Sequence, residues 1–177
     1  MIKFVRFTTA AGLAATLAAC NGALHQAEIA APPTDPFAKA LHKGYVALAR
    51  AEHDENDFTD AAYFAERGLA AAKGAPPKPD RLSHRKLPGE TVADLATARK
   101  NLSAALNAGA HRHAPAAAAD AQIAFDCWMQ EQEENLQPFD IADCRGKFSS
   151  AMARLQTRPL AVLRESRPRP VPAVLTA

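Results

Sequence analysis

From residue 35 to residue 156 the apolar side chains recur three or four positions apart, in blocks that proline and glycine interrupt. This is the period of α-helices, and it predicts an all-α domain over 35–157. Asp35-Pro36 supplies an acidic N-cap followed by proline at the first helical position, where its missing N–H costs nothing. Phe37, Leu41, Tyr45 and Leu48 then carry one face to about Ala51, and the polar run Glu52 to Asp57 reads as a solvated turn. A second helix sets Phe58, Ala62, Ala65 and Leu69 on one side and stops near Gly74, a normal C-cap residue. Ala75 to Gly89, with Pro76, Pro77, Pro79 and Pro88, cannot continue a helix and reads as an exposed basic loop. Val92, Leu95, Leu102 and Leu106 mark a third helix ending at Gly109. A fourth runs from Ala114-Pro115 to Asn135, burying Ala121, Phe125 and Trp128. The fifth follows Gln137-Pro138 through Ile141, Cys144, Phe148, Met152 and Leu155 to about Gln156. The expected architecture is about five helices in antiparallel hairpins.

The chain's 177 residues suit one domain. Nearly half are apolar, but many of these are alanine and aromatics make up 6%, so the burial available favours closely packed helices. A net charge of +2, with no basic stripe interleaved with aromatics, gives no reason to expect nucleic acid as a partner.

The first twenty residues read as an address. Lys3 and Arg6 precede an uncharged stretch from Phe7 to Ala19, long enough for a signal-peptide core and too short to span a bilayer, which needs about 20 apolar residues. It ends Leu17-Ala18-Ala19-Cys20, which resembles the bacterial lipobox. That resemblance implies removal of 1–19, a lipidated Cys20, and a tether from 20 to 34 holding the folded part off the membrane. The competing reading is an ordinary secretory signal cut after Ala19, or after another small residue nearby, with the cysteine incidental. Asn21 stands where lipoproteins kept in the inner membrane often carry Asp, which favours the outer membrane facing the periplasm.

With Cys20 lipidated, Cys127 and Cys144 remain. Cys127 lies eight residues before Asn135 and Cys144 six after Pro138, so at about 1.5 Å per residue both sit at similar heights above one turn. An antiparallel pair would bring them level, and an oxidising compartment favours a disulfide. Two reduced core thiols are the alternative, and a redox-active pair lacks the Cys-x-x-Cys spacing.

Tyr45, Leu48 and Ala49, with Phe58, Ala61, Gly68 and Leu69, resemble one tetratricopeptide unit, although Glu52 stands where that repeat has an aromatic. The resemblance implies a groove around Tyr45, Tyr63 and Phe64 that takes a partner segment. Residues 121–135 and Ile141 to Arg145, together with Tyr45 to Ala49 and Asp60 to Ala65, are similar to the helical N-terminal region of OmpA-family envelope proteins of alphaproteobacteria. In that family a peptidoglycan-binding domain follows. Here the sequence ends where it would begin, so its cell-wall-binding residues are not carried over.

No nucleophile elbow, phosphate-binding glycine loop or histidine-glutamate zinc motif occurs, and no enzymatic activity or cofactor is expected. His111-Arg112-His113 offers two metal-type ligands without an acidic or cysteine partner at metal-site spacing. Glu52 to Asp57 has calcium-loop composition but neither the glycine nor the ligand spacing. No metal is expected at either. Glu131, Glu133 and Glu134 are expected to meet Arg145 or Lys147 across the last hairpin. Arg158 to Ala177 reads as a disordered or polyproline-like tail. The expected function is that of an outer-membrane-anchored structural or organising lipoprotein acting through a protein partner; the alternative is an adaptor of an envelope assembly complex.

Overall fold

The computed structural model describes residues 22–165, with side chains to residue 156. Among these, the regular elements are helical: α1 (22–29), α2 (Pro36–Asp54), α3 (Phe58–Ala72), a 3-10 turn (Leu82–His84), α4 (Gly89–Asn107), α5 (Ala110–His113), α6 (Pro115–Glu134) and α7 (Pro138–Glu165). The expected signal segment, Cys20, Asn21 and 166–177 lie outside the described residues.

The helix ends follow local chemistry. Asp35 caps α2 by accepting from the Ala38 N–H at 2.7 Å, and Pro36 fills the first helical position. Asp57 caps α3, one carboxylate oxygen accepting from the Thr59 and Asp60 N–H groups at 2.9 and 2.8 Å. Asn135 ends α6 at φ 51°, a left-handed conformation asparagine tolerates better than most residues.

Helix α6 is the centre of the molecule. It packs against α2, α4, α5 and α7, so burial extends around it rather than along one stripe. From Ala118 to Glu131 every residue except Asp120 and Ile123 is buried. Its alanines let neighbouring backbones approach, and Phe125, Trp128 and Met129 fill the space between. Helix α2 lies against both α3 and α6, and glycines mark the close approaches. A Cβ on Gly44 would collide with Ile123 of α6. One on Gly68 of α3 would lie 3.4 Å from Val46 Cγ2 and 3.6 Å from the His42 carbonyl of α2.

Four expectations need correction. Residues 22–29, inside the expected tether, are helical, with Leu24 and Ala27 buried in the core and Glu28 accepting from Arg50 Nε at 2.6 Å. Ala23, Leu24 and Ala27 already carry the helical spacing, which Pro32-Pro33 cuts off from α2. The helical segments exceed the expected five, because α1 and the single-turn α5 were not anticipated. The backbone of α7 continues to Glu165, through part of the expected tail, where Leu160 to Glu165 are mostly good helix formers. The proline-rich loop is anchored rather than simply exposed, since Pro79 and Asp80 are buried.

Candidate functional site: an acidic cleft beside a buried polar knot

Four separated segments meet at Asp126, a carboxylate 1% exposed in the middle of α6. Its Oδ2 accepts from the Tyr45 hydroxyl at 2.5 Å and from Arg67 at 2.7 Å, and its Oδ1 from the Asp80 N–H at 2.9 Å. Gln122 donates to the Tyr45 oxygen and to the Pro77 carbonyl. Arg67 also donates to the Lys78 carbonyl, and Arg99 to those of Pro79 and Asp80. This is how a loop with four prolines is held: side chains from α3, α4 and α6 satisfy the carbonyls that no helix uses. Burial pushes the Asp126 carboxyl up, and Arg67, Tyr45 and the Asp80 N–H oppose it. Burial, with Asp126 alongside, also holds the Tyr45 hydroxyl well above the phenol range.

The knot reaches the surface through Asp80. Its carboxylate accepts from Tyr63 at 2.6 Å and meets His84 Nδ1 at 2.5 Å, with His84 half exposed. Tyr63 and His84 line one side of a cleft of about 510 Å³, whose other walls are Asp57, Thr59, Asp60, Arg85, Glu133 and Glu134. Arg85 bridges Asp60 at 2.7 Å and Glu133 at 3.0 Å, joining the loop to α3 and α6. The Lys86 N–H also donates to Glu133 at 2.6 Å.

Behind this wall negative charge accumulates. Glu52 at the end of α2 is 5% exposed, and Glu131 of α6 is 7% exposed. Burial, reinforced by Asp60, Glu134, Glu131 and Glu55, pushes the Glu52 carboxyl up to about 8. Burial and then Glu134, Asp140 and Glu55 push Glu131 up to about 7. Glu134 is raised by burial and Asp57, against the opposing pull of the Gln130 amide. Gln130 Nε2 donates to both Glu52, at 3.1 Å, and Glu134, at 2.8 Å. Glu52, Asp57 and Glu134 each offer an oxygen within 4.8 Å of the others. Cys127, Glu131 and Cys144 form a second such group, but there the two sulfurs face each other.

Several residues singled out from sequence lie elsewhere than expected. Tyr45 and Phe64 are 0% exposed and only Tyr63 reaches the cleft, so the partner groove drawn around these three is filled. Their rings pack under Arg67 and Arg85 instead. Glu52 is buried rather than solvated, because the turn from α2 to α3 folds under the end of α6. Glu131, Glu133 and Glu134 do not meet Arg145 or Lys147: Glu133 pairs with Arg85, while Arg145 pairs with Asp94 and Lys147 with Asp143 one turn earlier. The α6 C-terminus therefore faces α2 and the loop, not the outer side of α7. His111 Nδ1 lies 3.1 Å from the Leu106 carbonyl. Cys127 and Cys144 are at disulfide distance, with Cα atoms 5.8 Å apart, and the Trp128 and Phe148 rings lie near them, 6.0 Å apart and tilted at 39°.

Sequence reasoning missed Arg67, Asp80, Asp126 and Gln130. A signal was present: Gln122, Asp126 and Gln130 recur every four residues on one face of an otherwise apolar helix. No known protein family, curated protein or solved structure matches this chain.

Proposed function

We propose that this chain is a structural or organising lipoprotein of the bacterial envelope, anchored to the outer membrane by lipid on Cys20 and acting through protein contacts without catalysis. The observation that carries the reading is the sequence Leu17-Ala18-Ala19-Cys20 after a dozen uncharged residues. Two further features support it. Among the described residues no helix is long and apolar enough to cross a membrane, so attachment would fall to the lipid. A cysteine pair at disulfide distance suits an oxidising compartment.

In this reading α1 begins two residues after the anchor, and Leu24 and Ala27 dock it on the core. The folded body is held close against the bilayer rather than on a long leash. Helices α2 and α3 act as one tetratricopeptide-like pair, with Gly68 at the small position that lets them approach. The partner surface is not the aromatic groove. Leu136 and Phe139, at the connection between α6 and α7, are 78% and 87% exposed and form the apolar tip best suited to a protein contact.

The test is Cys20→Ser in a host with lipoprotein-processing enzymes, read by fractionation and by the mass of the mature N-terminus. The wild-type chain should be acylated and sediment with membranes, and the variant should be released or remain unprocessed. A processed Cys20→Ser chain that stays firmly in the membrane fraction would overturn the reading.

A further inference from the structure

The geometry points to a divalent-cation site, of calcium type, built by Glu52, Asp57 and Glu134, with Gln130 as a neutral fourth ligand. The three carboxylates come from the end of α2, the N-cap of α3 and the end of α6, and each presents an oxygen within 4.8 Å of the others. Calcium takes oxygen ligands at roughly 2.3–2.6 Å, so oxygens on opposite sides of one ion stand up to about 5 Å apart. Magnesium, at roughly 2.0–2.1 Å and with near-ideal octahedral demands, would require the three elements to close further.

Like charges gathered in a protein are not by themselves a site. The second observation comes from Gln130 of α6, which lies between two of the three carboxylates. Gln130 is 0% exposed, its Nε2 bonds both Glu52 and Glu134, and its Oε1 has no partner among the described residues. A primary amide is nearly symmetric in shape, so a half-turn places the unsatisfied oxygen where the nitrogen now bridges the two carboxylates. That atom would then face a cation flanked by Glu52 and Glu134. Buried polar atoms are normally satisfied, and an orphaned oxygen on the amide that joins two of the three carboxylates points to a missing positive ligand. Arg85 does not supply it, being bound to Asp60 and Glu133 on the outer wall.

The donors are all oxygen, which selects a hard cation over zinc or copper. Asp57 Oδ1 already caps α3, leaving Oδ2 for the ion, so binding would tie the α2–α3 turn to the end of α6. The site does not depend on the lipoprotein reading, since it needs only the described helices.

The experiment is isothermal titration of the chelator-stripped mature protein with CaCl2 at pH 7.5, repeated with MgCl2. One calcium per chain should bind, and more tightly than magnesium. Glu134→Gln should weaken calcium at least tenfold, and so should Asp57→Asn, which keeps an oxygen for the α3 cap. Circular dichroism of each variant checks that the helices persist. If either variant misfolds, calcium should still raise the wild-type melting temperature by several degrees, and EDTA should reverse the rise. No calcium binding up to 10 mM (an order-of-magnitude ceiling for weak extracellular sites), or binding unchanged in a folded Glu134→Gln protein, would overturn the proposal.

Discussion

The molecule holds two polar centres on the same helix, one turn apart, and they solve burial in opposite ways. Around Asp126, the carboxylate has a guanidinium, a hydroxyl and a backbone N–H, and the freed loop carbonyls have donors. Around Gln130, the carboxylates of Glu52, Asp57 and Glu134 gather, the amide's own oxygen lacks a partner, and the nearby Arg85 answers only Asp60 and Glu133 on the outer wall. A centre whose charges are answered within the chain is a clamp. Its neighbour is held at a cost that the chain alone does not offset, and such places are where ligands bind. The sequence around both is similar, a glutamine or acid every fourth residue of α6; what differs is whether the facing elements bring arginine or more carboxylate.

The largest effect should fall on the clamp. Asp126→Ala leaves Arg67 buried beside Tyr45 without its anion and frees the Asp80 N–H. Breaking a buried ion pair by removing one partner costs about 3–5 kcal/mol, which should show as a lower midpoint in urea unfolding. Asp126→Asn keeps acceptor and shape and should lose less. A cost for Asp126→Ala below about 1 kcal/mol, typical of exposed pairs, would erase the contrast between the two centres.

A smaller and more uniform effect belongs to the cysteine pair. Cys127 and Cys144 stand 17 residues apart in sequence, and closing a loop of that length contributes roughly 3 kcal/mol in the chain-entropy view. Reduction should lower the melting temperature while leaving the Asp126 knot assembled, because its hydrogen-bond partners Tyr45, Arg67 and Asp80 lie outside α7. Rapid thiol labelling of the native protein at both cysteines would show the pair open. Removing either cysteine without loss of stability would show that α6 and α7 need no staple.

The sequence carried the helical class and most helix boundaries, because these depend on local signals: Asp35-Pro36, Pro115, Asn135 and the four-residue spacing of Leu41, Tyr45 and Leu48. It also brought Cys127 level with Cys144, since both count from one turn. Residues 22–29 were missed because a single buried Leu24 and Ala27 make a faint stripe beside a proline pair. The polar centres were illegible for a different reason. Asp126 meets Tyr45 across 81 residues and Gln130 meets Glu52 across 78, and nothing in a local window records which face of α2 turns toward α6. Tyr45 and Phe64 were assigned to a groove because aromatic positions in a repeat-like pair look alike whether covered or open. The loop that covers them lies in the stretch whose prolines suggested exposure.

The gentlest change tests the acidic centre alone. Glu52 has its carboxyl pushed up to about 8 by burial and its acidic neighbours, against an ordinary value of 4.5. Below about pH 4.5 the group is protonated whether the chain is folded or not, and it carries no penalty. Between 4.5 and 8 the unfolded chain releases this proton while the folded chain keeps it, so the unfolded state binds fewer protons and stability falls as pH rises. Glu131, pushed up to about 7, acts in the same direction. In chelator-treated protein the melting temperature should therefore decline from pH 5 to pH 8. Glu52→Gln, which keeps the shape and removes the titrating proton, should flatten that decline and raise the melting temperature by roughly a few degrees at pH 8, the shift expected for about 1 kcal/mol in a domain this size. At pH 5 it should change little. A variant that is instead less stable than wild type at pH 8 would mean that the Glu52 carboxylate is already answered within the fold, and the acidic centre would then be a second clamp.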